Sequence, residues 1–291
     1  MITYNPKDWF TLIFQFHKSD TFRRLLPTMM AVGLVTGVAC YLERKYMQGT
    51  VPALTIFHQI AGFIISLVLV FRINTAYDRW WEGRKHWGSL VNNCRNLAIR
   101  LNAIIPADDR STRATAQQMI AFYPFAVKEV LRTRSKPPEV VPNELLTAGD
   151  IAGTSHLPNL IASRLTSYCL EICKKYSSSP HDYLVMSDNL GSLTDLCGSC
   201  ERIKSTPIPY AYSIFIKKVI FLYIITMPVS FGLTLGYWAI PIVMIMFYAF
   251  ASLELISEEI EDPFGTDSND LPTDDLSARI AQNTREILNV S

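Results

Sequence analysis

The feature that most constrains this chain is an apolar run from Val51 to Phe71 that contains no Asp, Glu, Lys or Arg. A run of about twenty such residues is the length that an α-helix needs to cross the hydrocarbon of a bilayer. Charges begin at Arg72, and they arrive among the tyrosine and tryptophan residues of the segment 77–87. Aromatic and basic residues are typical of a membrane interface. The sequence therefore predicts a helix that spans a membrane and leaves it after Phe71.

Two further apolar blocks run from Leu25 to Leu42 and from Val219 to Leu253. The second block is about 35 residues long and carries no formal charge, which is enough for two crossings. We expect these to be joined by a tight turn near Pro228 to Gly236. The sequence thus predicts an all-α membrane protein with four transmembrane helices in each chain. With 49% hydrophobic residues and a net charge of +1, the chain is too apolar for a disordered protein and too neutral for a nucleic-acid binder.

The distribution of lysine and arginine predicts the orientation. Basic residues precede the first span, follow the second and precede the third, whereas only Arg44 and Lys45 lie on the opposite side of the first span. Because basic residues favour the cytoplasmic face, we expect a multi-pass protein of the cell (plasma or inner) membrane with both termini cytoplasmic.

The chain divides by the same patterns into five parts. We expect an N-terminal cytoplasmic or interfacial helix (1–24), transmembrane helices 1 and 2 (25–73), a helical cytoplasmic body (74–212), transmembrane helices 3 and 4 (213–256) and a cytoplasmic C-terminal tail (257–291). The apolar residues of the tail recur at helical spacing, which predicts a last amphipathic helix that docks on the body or on a neighbouring subunit. These residues are Leu276, Ile280, Ile287 and Leu288.

Within the second span, Phe63, Leu67 and Phe71 recur every four residues and so line one strip of the helix. If several copies gathered around an axis, this strip would form stacked apolar rings around a narrow hole. Bulky residues at this spacing also commonly face lipid or a neighbouring helix. His58 and Gln59 lie about one turn before Phe63. Polar groups in an apolar run seldom face lipid, so these two either line an aqueous pore entrance or form interhelical hydrogen bonds.

The sequence gives little support for catalysis or a resident metal. Cys197 and Cys200, together with Cys169 and Cys173, have a spacing that zinc sites use, but the flanking pattern is helical. Paired ionisable groups, which a membrane-embedded enzyme would need, are not found inside the spans. We therefore expect a protein that is not an enzyme and that has no metal-catalytic centre.

Four short motifs give the chain a resemblance to a known family. They are Phe71-Arg72, Tyr77-Asp-Arg-Trp-Trp81, Thr206-Pro-Ile-Pro-Tyr210 and Glu261-Asp-Pro-Phe-Gly-Thr-Asp267, in this order along the chain. Together they resemble the bestrophin family of membrane channels. The resemblance implies a homopentamer around one central pore. It also implies that Phe63, Leu67 and Phe71 form the apolar neck of that pore and that Ile208, between its two prolines, forms a cytoplasmic aperture.

The resemblance further implies the ions and partners. The expected function is the passage of small monovalent ions, with anion (chloride) conduction as the family default and a sodium or potassium channel of the same architecture as the alternative. A non-conducting scaffold or receptor is the alternative of a different class. The expected partners are other copies of the chain, membrane lipid and small monovalent ions, without nucleic acid.

Calcium is the one bound ligand that the resemblance suggests. Eukaryotic members bind calcium through an acidic run after the Pro-Phe-Gly motif. Asp267 and Asp270 match two of its side-chain ligands here, but the acidic residues around them are missing. Both aspartates are also typical of turns and helix caps. The expectation is a channel without a resident cofactor, with a calcium site at Asp267 and Asp270 as the alternative.

Overall fold

The computed structural model describes residues 20–46, 52–132, 140–177, 179 and 181–290. The helix that the sequence predicts before the first span falls mostly within residues 1–19 and so lies outside the described residues. Every regular element in the described part of the chain is helical. The α-helices are α1 (Asp20–Tyr46), α2 (Pro52–Ile104), α3 (Arg110–Leu131), α4 (Ala148–Gly153), α5 (Leu157–Tyr176), α6 (His181–Ser205), α7 (Tyr210–Leu235), α8 (Ala239–Glu261) and α9 (Thr273–Ile287).

Three helical stretches are long and apolar enough to cross a membrane, namely Thr21–Tyr46, Leu54–Ile104 and Tyr210–Glu261. The third stretch is not one rod, because it consists of α7 and α8 joined by a 3₁₀ turn at Gly236–Trp238. Lys217 Nζ, near the start of α7, lies 2.6 Å from Glu258 Oε1, near the end of α8. The two helices therefore run antiparallel to each other.

The turn between α7 and α8 lies at the end of the range that the sequence predicted, Pro228 to Gly236. Helix α7 continues through Pro228 and ends at Leu235. A proline inside an apolar helix is tolerated where neighbouring helices and side-chain hydroxyls compensate for its missing N–H. The chain turns instead at Gly236, whose φ of +58° is a conformation that glycine adopts without steric cost. Glycine, and not proline, marks the turn.

The chain divides into two compact units, and α2 contributes residues to both. In the described part, one unit comprises residues 20–79 and 207–261. Its core is formed by apolar residues of α2, α7 and α8, namely Ile65, Leu69, Ile216, Ile220, Tyr223, Ile224, Met227, Val243 and Phe250. Gly62 allows a close approach here, because a Cβ atom at this position would lie only 2.6 Å from Tyr223 Oη. A larger side chain would have to displace the Tyr223 ring from its place against α2.

The other unit comprises residues 80–206 and 262–290. Its core takes side chains from the later turns of α2 and from α3, α5, α6 and α9, such as Trp87, Tyr123, Ile161, Leu193 and Ile280. Helix α3 is capped by Asp109, whose Oδ1 accepts the N–H of Thr112 at 3.0 Å.

Helix α9 packs on α3 within this second unit. Leu276, Ile280 and Leu288 are buried, and Arg132 Nη2 donates to Asp274 Oδ2 at 2.7 Å. The prediction that the amphipathic C-terminal helix docks is confirmed, with α3 as its docking surface.

Candidate ion pathway

Phe63, Leu67 and Phe71 lie along one face of α2, and all three are exposed. Their exposed fractions are 72%, 48% and 58%. Gln59, one turn before Phe63, is exposed as well. The opposite face of the same helix packs inward, since Ile65 and Leu69 are buried. The strip that the sequence singled out thus lies on the free face of α2 and not on the face that holds this unit together.

Polar groups share this exposed face with the three apolar side chains. Ser66 is exposed, and its hydroxyl donates to the carbonyl of Gly62 at 2.8 Å. Thr75 is exposed and donates in the same way to the carbonyl of Phe71 at 2.9 Å. These hydroxyls are satisfied within the helix, whereas a glutamine amide such as that of Gln59 is costly to place in lipid. The mixed character of the face favours water or protein over lipid as its surroundings.

His58 lies on the other side of α2 and is fully buried. Its Nε2 atom is 3.0 Å from Thr226 Oγ1, and its Nδ1 atom is 2.7 Å from Ser230 Oγ, both on α7. Of the two alternatives that the sequence left open, His58 therefore has the interhelical hydrogen bonds. It does not line an exposed surface of this chain. Gln59 alone of the pair remains on the exposed strip.

Ile208 lies in the short turn between α6 and α7, between two prolines. The helices end at Ser205 and resume at Tyr210, because proline disfavours the helical conformation of the residue before it. Ile208 is half-buried, and its N–H donates to Glu261 Oε1 at 2.7 Å. This turn is therefore held by a side chain from the end of α8.

The partners of Arg72 could not be predicted from the sequence. This arginine directly follows the apolar strip and is only 1% exposed. Its Nη2 atom donates to Glu261 Oε2 at 2.8 Å, and its Nε atom lies 3.7 Å from Glu254 Oε2. The only signals were a basic residue at the end of an apolar run and an acidic cluster at the end of another. Neither pattern says which carboxylate meets which guanidinium.

Asp267 and Asp270 lie in the loop between α8 and α9. Asp270 Oδ2 accepts the N–H of Asp267 at 2.7 Å, while the N–H of Asp270 donates to the carbonyl of Asp267 at 3.1 Å. Asp270 thus closes a turn with its own side chain. The loop borders a cavity of about 250 Å³ that Arg132 and Asp274 also line.

The donors around this cavity do not fit a calcium ion well. Calcium takes six to eight oxygen ligands, several of them carboxylates. Asp270 already accepts a backbone N–H, and Asp274 is paired with Arg132 and with Lys128, whose Nζ lies 3.0 Å from Asp274 Oδ1. The hydrogen bond from Arg132 lowers the pKa of Asp274 to about 2. Two cationic side chains of the protein, Arg132 and Lys128, thus already neutralise Asp274.

The structure also brings together His156, Cys197 and Glu201, whose ligand atoms lie within 4.8 Å of one another. His156 Nδ1 accepts the N–H of Asn159 at 3.2 Å and so caps α5, while Nε2 is 2.6 Å from Glu201 Oε1. Both ring nitrogens thus have protein partners. Burial raises the pKa of the Cys197 thiol to about 12, which keeps the thiol protonated. This grouping is accounted for by a helix cap and a buried thiol.

Comparison with known proteins identifies the family. A profile described as "Bacterial/Fungal Bestrophin protein" matches residues 1–286. The chain is 32% identical to a voltage-dependent anion channel-forming protein from Nostoc sp., over 100% of this chain and 95% of that protein. It is 29% identical to the voltage-dependent anion channel-forming protein YneE of Escherichia coli, over 94% of this chain and 90% of that protein.

A solved structure shows the same fold. The crystal structure of a bacterial bestrophin homolog from Klebsiella pneumoniae aligns with a TM-score of 0.80 and 24% identity, and the alignment covers 92% of this chain and 98% of that one. The resemblance that the four motifs suggested is confirmed over nearly the whole sequence. This chain is a membrane protein that belongs to the bestrophin family.

Proposed function

We propose that the chain is one subunit of a homopentameric channel that passes small monovalent anions, chloride foremost. Phe63, Leu67 and Phe71 of α2 line its neck, Gln59 lies at the pore entrance, and Ile208 lines a cytoplasmic aperture. The observation that carries the proposal is the exposed strip on α2. Three bulky apolar side chains, four residues apart, share the free face of a membrane-length helix with polar groups, while the packed face of that helix lies on the other side.

The architecture around this pore has four membrane crossings in each subunit. Helices α1 and α2 supply two of them, and the antiparallel pair α7 and α8 supplies the other two. The excess of basic residues at one end of these helices supports a cytoplasmic position of both termini and of the 74–212 body. The protein is then a multi-pass component of the cell membrane, and its partners are four further copies of itself and the surrounding lipid.

The neck works as a hydrophobic gate. Three rings of apolar side chains around a narrow hole lose water easily, and a dewetted constriction blocks ions without closing sterically. When the rings separate and water enters, ions pass. The edges of aromatic rings carry partial positive charge, so Phe63 and Phe71 can present that edge to a passing anion.

The names of the relatives, and not a charge at the neck, support the proposed anion selectivity. The two relatives from Nostoc sp. and Escherichia coli are named anion channel-forming proteins. The proposed neck contains no ionisable side chain, so the sign of the permeant ion depends on weak interactions and on the pore entrances. Measurement of that sign is therefore part of the test.

The test is current through purified protein in planar bilayers under asymmetric KCl. An anion channel gives a reversal potential close to the chloride equilibrium potential, and a cation channel gives the opposite sign. The variant Phe63→Ala, Leu67→Ala, Phe71→Ala should carry a current several times larger, because smaller side chains widen the neck and keep it hydrated. Protein that inserts but gives no current in either form would instead favour the scaffold.

Helix α1 offers a matched control for this variant. Leu34, Val38 and Leu42 are also apolar, four residues apart and exposed, at 70%, 52% and 47%. The variant Leu34→Ala, Val38→Ala, Leu42→Ala removes a similar apolar strip from a helix that does not line the proposed pore. Its current should equal that of the wild type. Equal gains in both variants would mean that the effect is not located at the neck.

A further inference from the structure

Glu261 is the last residue of α8. Its carboxylate lies between two groups that are far apart in the sequence. Glu261 Oε2 accepts a hydrogen bond from Arg72 Nη2 at 2.8 Å, and Glu261 Oε1 accepts the N–H of Ile208 at 2.7 Å. Both oxygens of one side chain are thus used, one for each partner.

Arg72 is fixed in place by burial and charge. Its side chain is almost fully enclosed, and a second carboxylate, Glu254 Oε2, lies 3.7 Å from its Nε atom. A buried guanidinium that lost its partners would carry a large desolvation penalty. Arg72 therefore has a strong reason to stay with Glu261, and it directly follows Phe71 on the helix that carries the proposed neck.

Ile208 has the only backbone N–H in the segment 207–209. Pro207 and Pro209 have no N–H, because the ring closes on the nitrogen. The N–H of Ile208 meets an ionised acceptor, and hydrogen bonds to charged groups are shorter and stronger than neutral ones. The Glu261 carboxylate thus accepts the only backbone N–H of this segment.

A second contact ties the same residue to α2. The backbone carbonyl of Glu261 accepts a hydrogen bond from Arg79 Nε at 3.1 Å. Glu261 is therefore held by Arg72 and by Arg79, two turns apart on one helix. The carboxylate has little freedom to follow the Ile208 turn if that turn moves.

We propose that Glu261 is the positioning residue of the Ile208 turn, and that Arg72 holds Glu261, so that the width of the aperture depends on α2. The inference rests on the proposed function, because it takes Ile208 as a pore-lining residue. The aperture and the neck are then connected through one carboxylate. Loss of this carboxylate frees the Ile208 turn in every subunit. The size of the ions that can pass the aperture then changes.

The first test does not depend on conduction. Amide hydrogen exchange at Ile208 can be read from peptides that span residues 207–209, since the flanking prolines contribute no amide. Glu261→Ala should speed this exchange about tenfold or more, as expected for the loss of a hydrogen bond to a charged group. Glu261→Gln should speed it less, because the amide oxygen still accepts. Unchanged exchange in Glu261→Ala would overturn the proposal.

Glu258→Gln is the matched control. Glu258 lies three residues earlier on α8, is half-exposed, and pairs with Lys217 on α7. It loses the same charge without touching the Ile208 turn, so exchange at Ile208 should stay at the wild-type rate. If Glu261→Ala does not assemble, as judged by its elution volume in gel filtration, the comparison rests on Glu261→Gln against Glu258→Gln.

The second test measures the permeability of a bulky organic anion relative to chloride in bilayers. Glu261→Ala should change this ratio at least threefold, and Glu258→Gln should leave it unchanged. Faster exchange with an unchanged ratio would overturn the link to the aperture. A silent wild type would contradict the proposed function and the aperture role together, while the exchange experiment would still decide whether Glu261 holds the turn.

Discussion

His58 and Gln59 are neighbours in the sequence, but one is buried and the other exposed, so substitutions at the two should differ in their effect on stability. His58→Ala removes both hydrogen bonds to α7 and leaves Ser230 buried without this partner. It should destabilise the protein by about 2–3 kcal/mol, seen as a lower unfolding temperature in detergent. Gln59→Ala should stay within about 0.5 kcal/mol of the wild type. A similar loss of stability in both variants would contradict the buried position of His58 and the exposed position of Gln59.

At the scale of single residues, periodicity predicts which residues share a face of a helix, but not which residues of other helices they contact. The spacing of Phe63, Leu67 and Phe71 predicted one shared strip, and the structure places all three on one exposed face. That these residues line a pore stays a prediction. The hydrogen bond between Arg72 and Glu261 joins residues 189 positions apart. No local pattern could have selected that pair, because several acidic residues crowd the end of α8.

At the scale of elements, Asp274 ties α9 to α3. Its pKa of about 2 lies below the ordinary 3.8, mainly because Arg132 donates to it. The ionised form is therefore favoured in the folded state. The resulting stabilisation is complete above pH 4 and is lost as the pH falls from about 4 to about 2. Because the Asp274 side chain is 60% exposed, solvent limits the effect to less than about 1 kcal/mol.

Asp274→Asn should accordingly lower the unfolding temperature slightly at pH 7 and make no difference near pH 2. Asp275→Asn is the control, since Asp275 is also exposed in the first turn of α9 and has the same position relative to the helix dipole. If the two variants unfold alike at pH 7, the contact with Arg132 contributes nothing measurable.

The loop before α9 gives a prediction about calcium. Since Asp270 closes its own turn and Asp274 is paired with Arg132 and Lys128, the current should be the same in excess calcium and in excess chelator. Currents recorded from one bilayer while calcium is added and then removed provide the measurement. A reversible change of more than about twofold, abolished by Asp267→Ala, would mean that the loop binds calcium after all.

Helix positions were predicted well where apolar residues recur at helical spacing. The predicted amphipathic helix through Leu276, Ile280, Ile287 and Leu288 agrees with α9 and its C-terminal cap, and the proline pair around Ile208 lies between the end of α6 and the start of α7. The turn between α7 and α8 lies at the Gly236 end of the predicted range, and Pro228, at the other end of that range, lies inside α7. In a helix surrounded by other helices, a proline can be accommodated, so glycine was the more informative residue.

At the scale of the whole molecule, composition and hydropathy were enough to predict a membrane protein, and four motifs were enough to predict its family. The assembly could not be predicted in the same way, because the exposed strip on α2 is equally apolar whether it meets lipid or a pore. The strip Leu34, Val38 and Leu42 on α1 has the same spacing and similar exposure. Only the surroundings in the assembled protein distinguish the two.

The most direct measurement is therefore the accessibility of these two strips from water during conduction. Single cysteines placed at Phe63, Leu67 and Phe71, and separately at Leu34, Val38 and Leu42, are treated with a charged, water-soluble thiol reagent while current is recorded. The account predicts that modification at the α2 positions changes the current several-fold and that modification at the α1 positions does not. No change at any α2 position, or equal changes on both helices, would contradict a pore lined by α2.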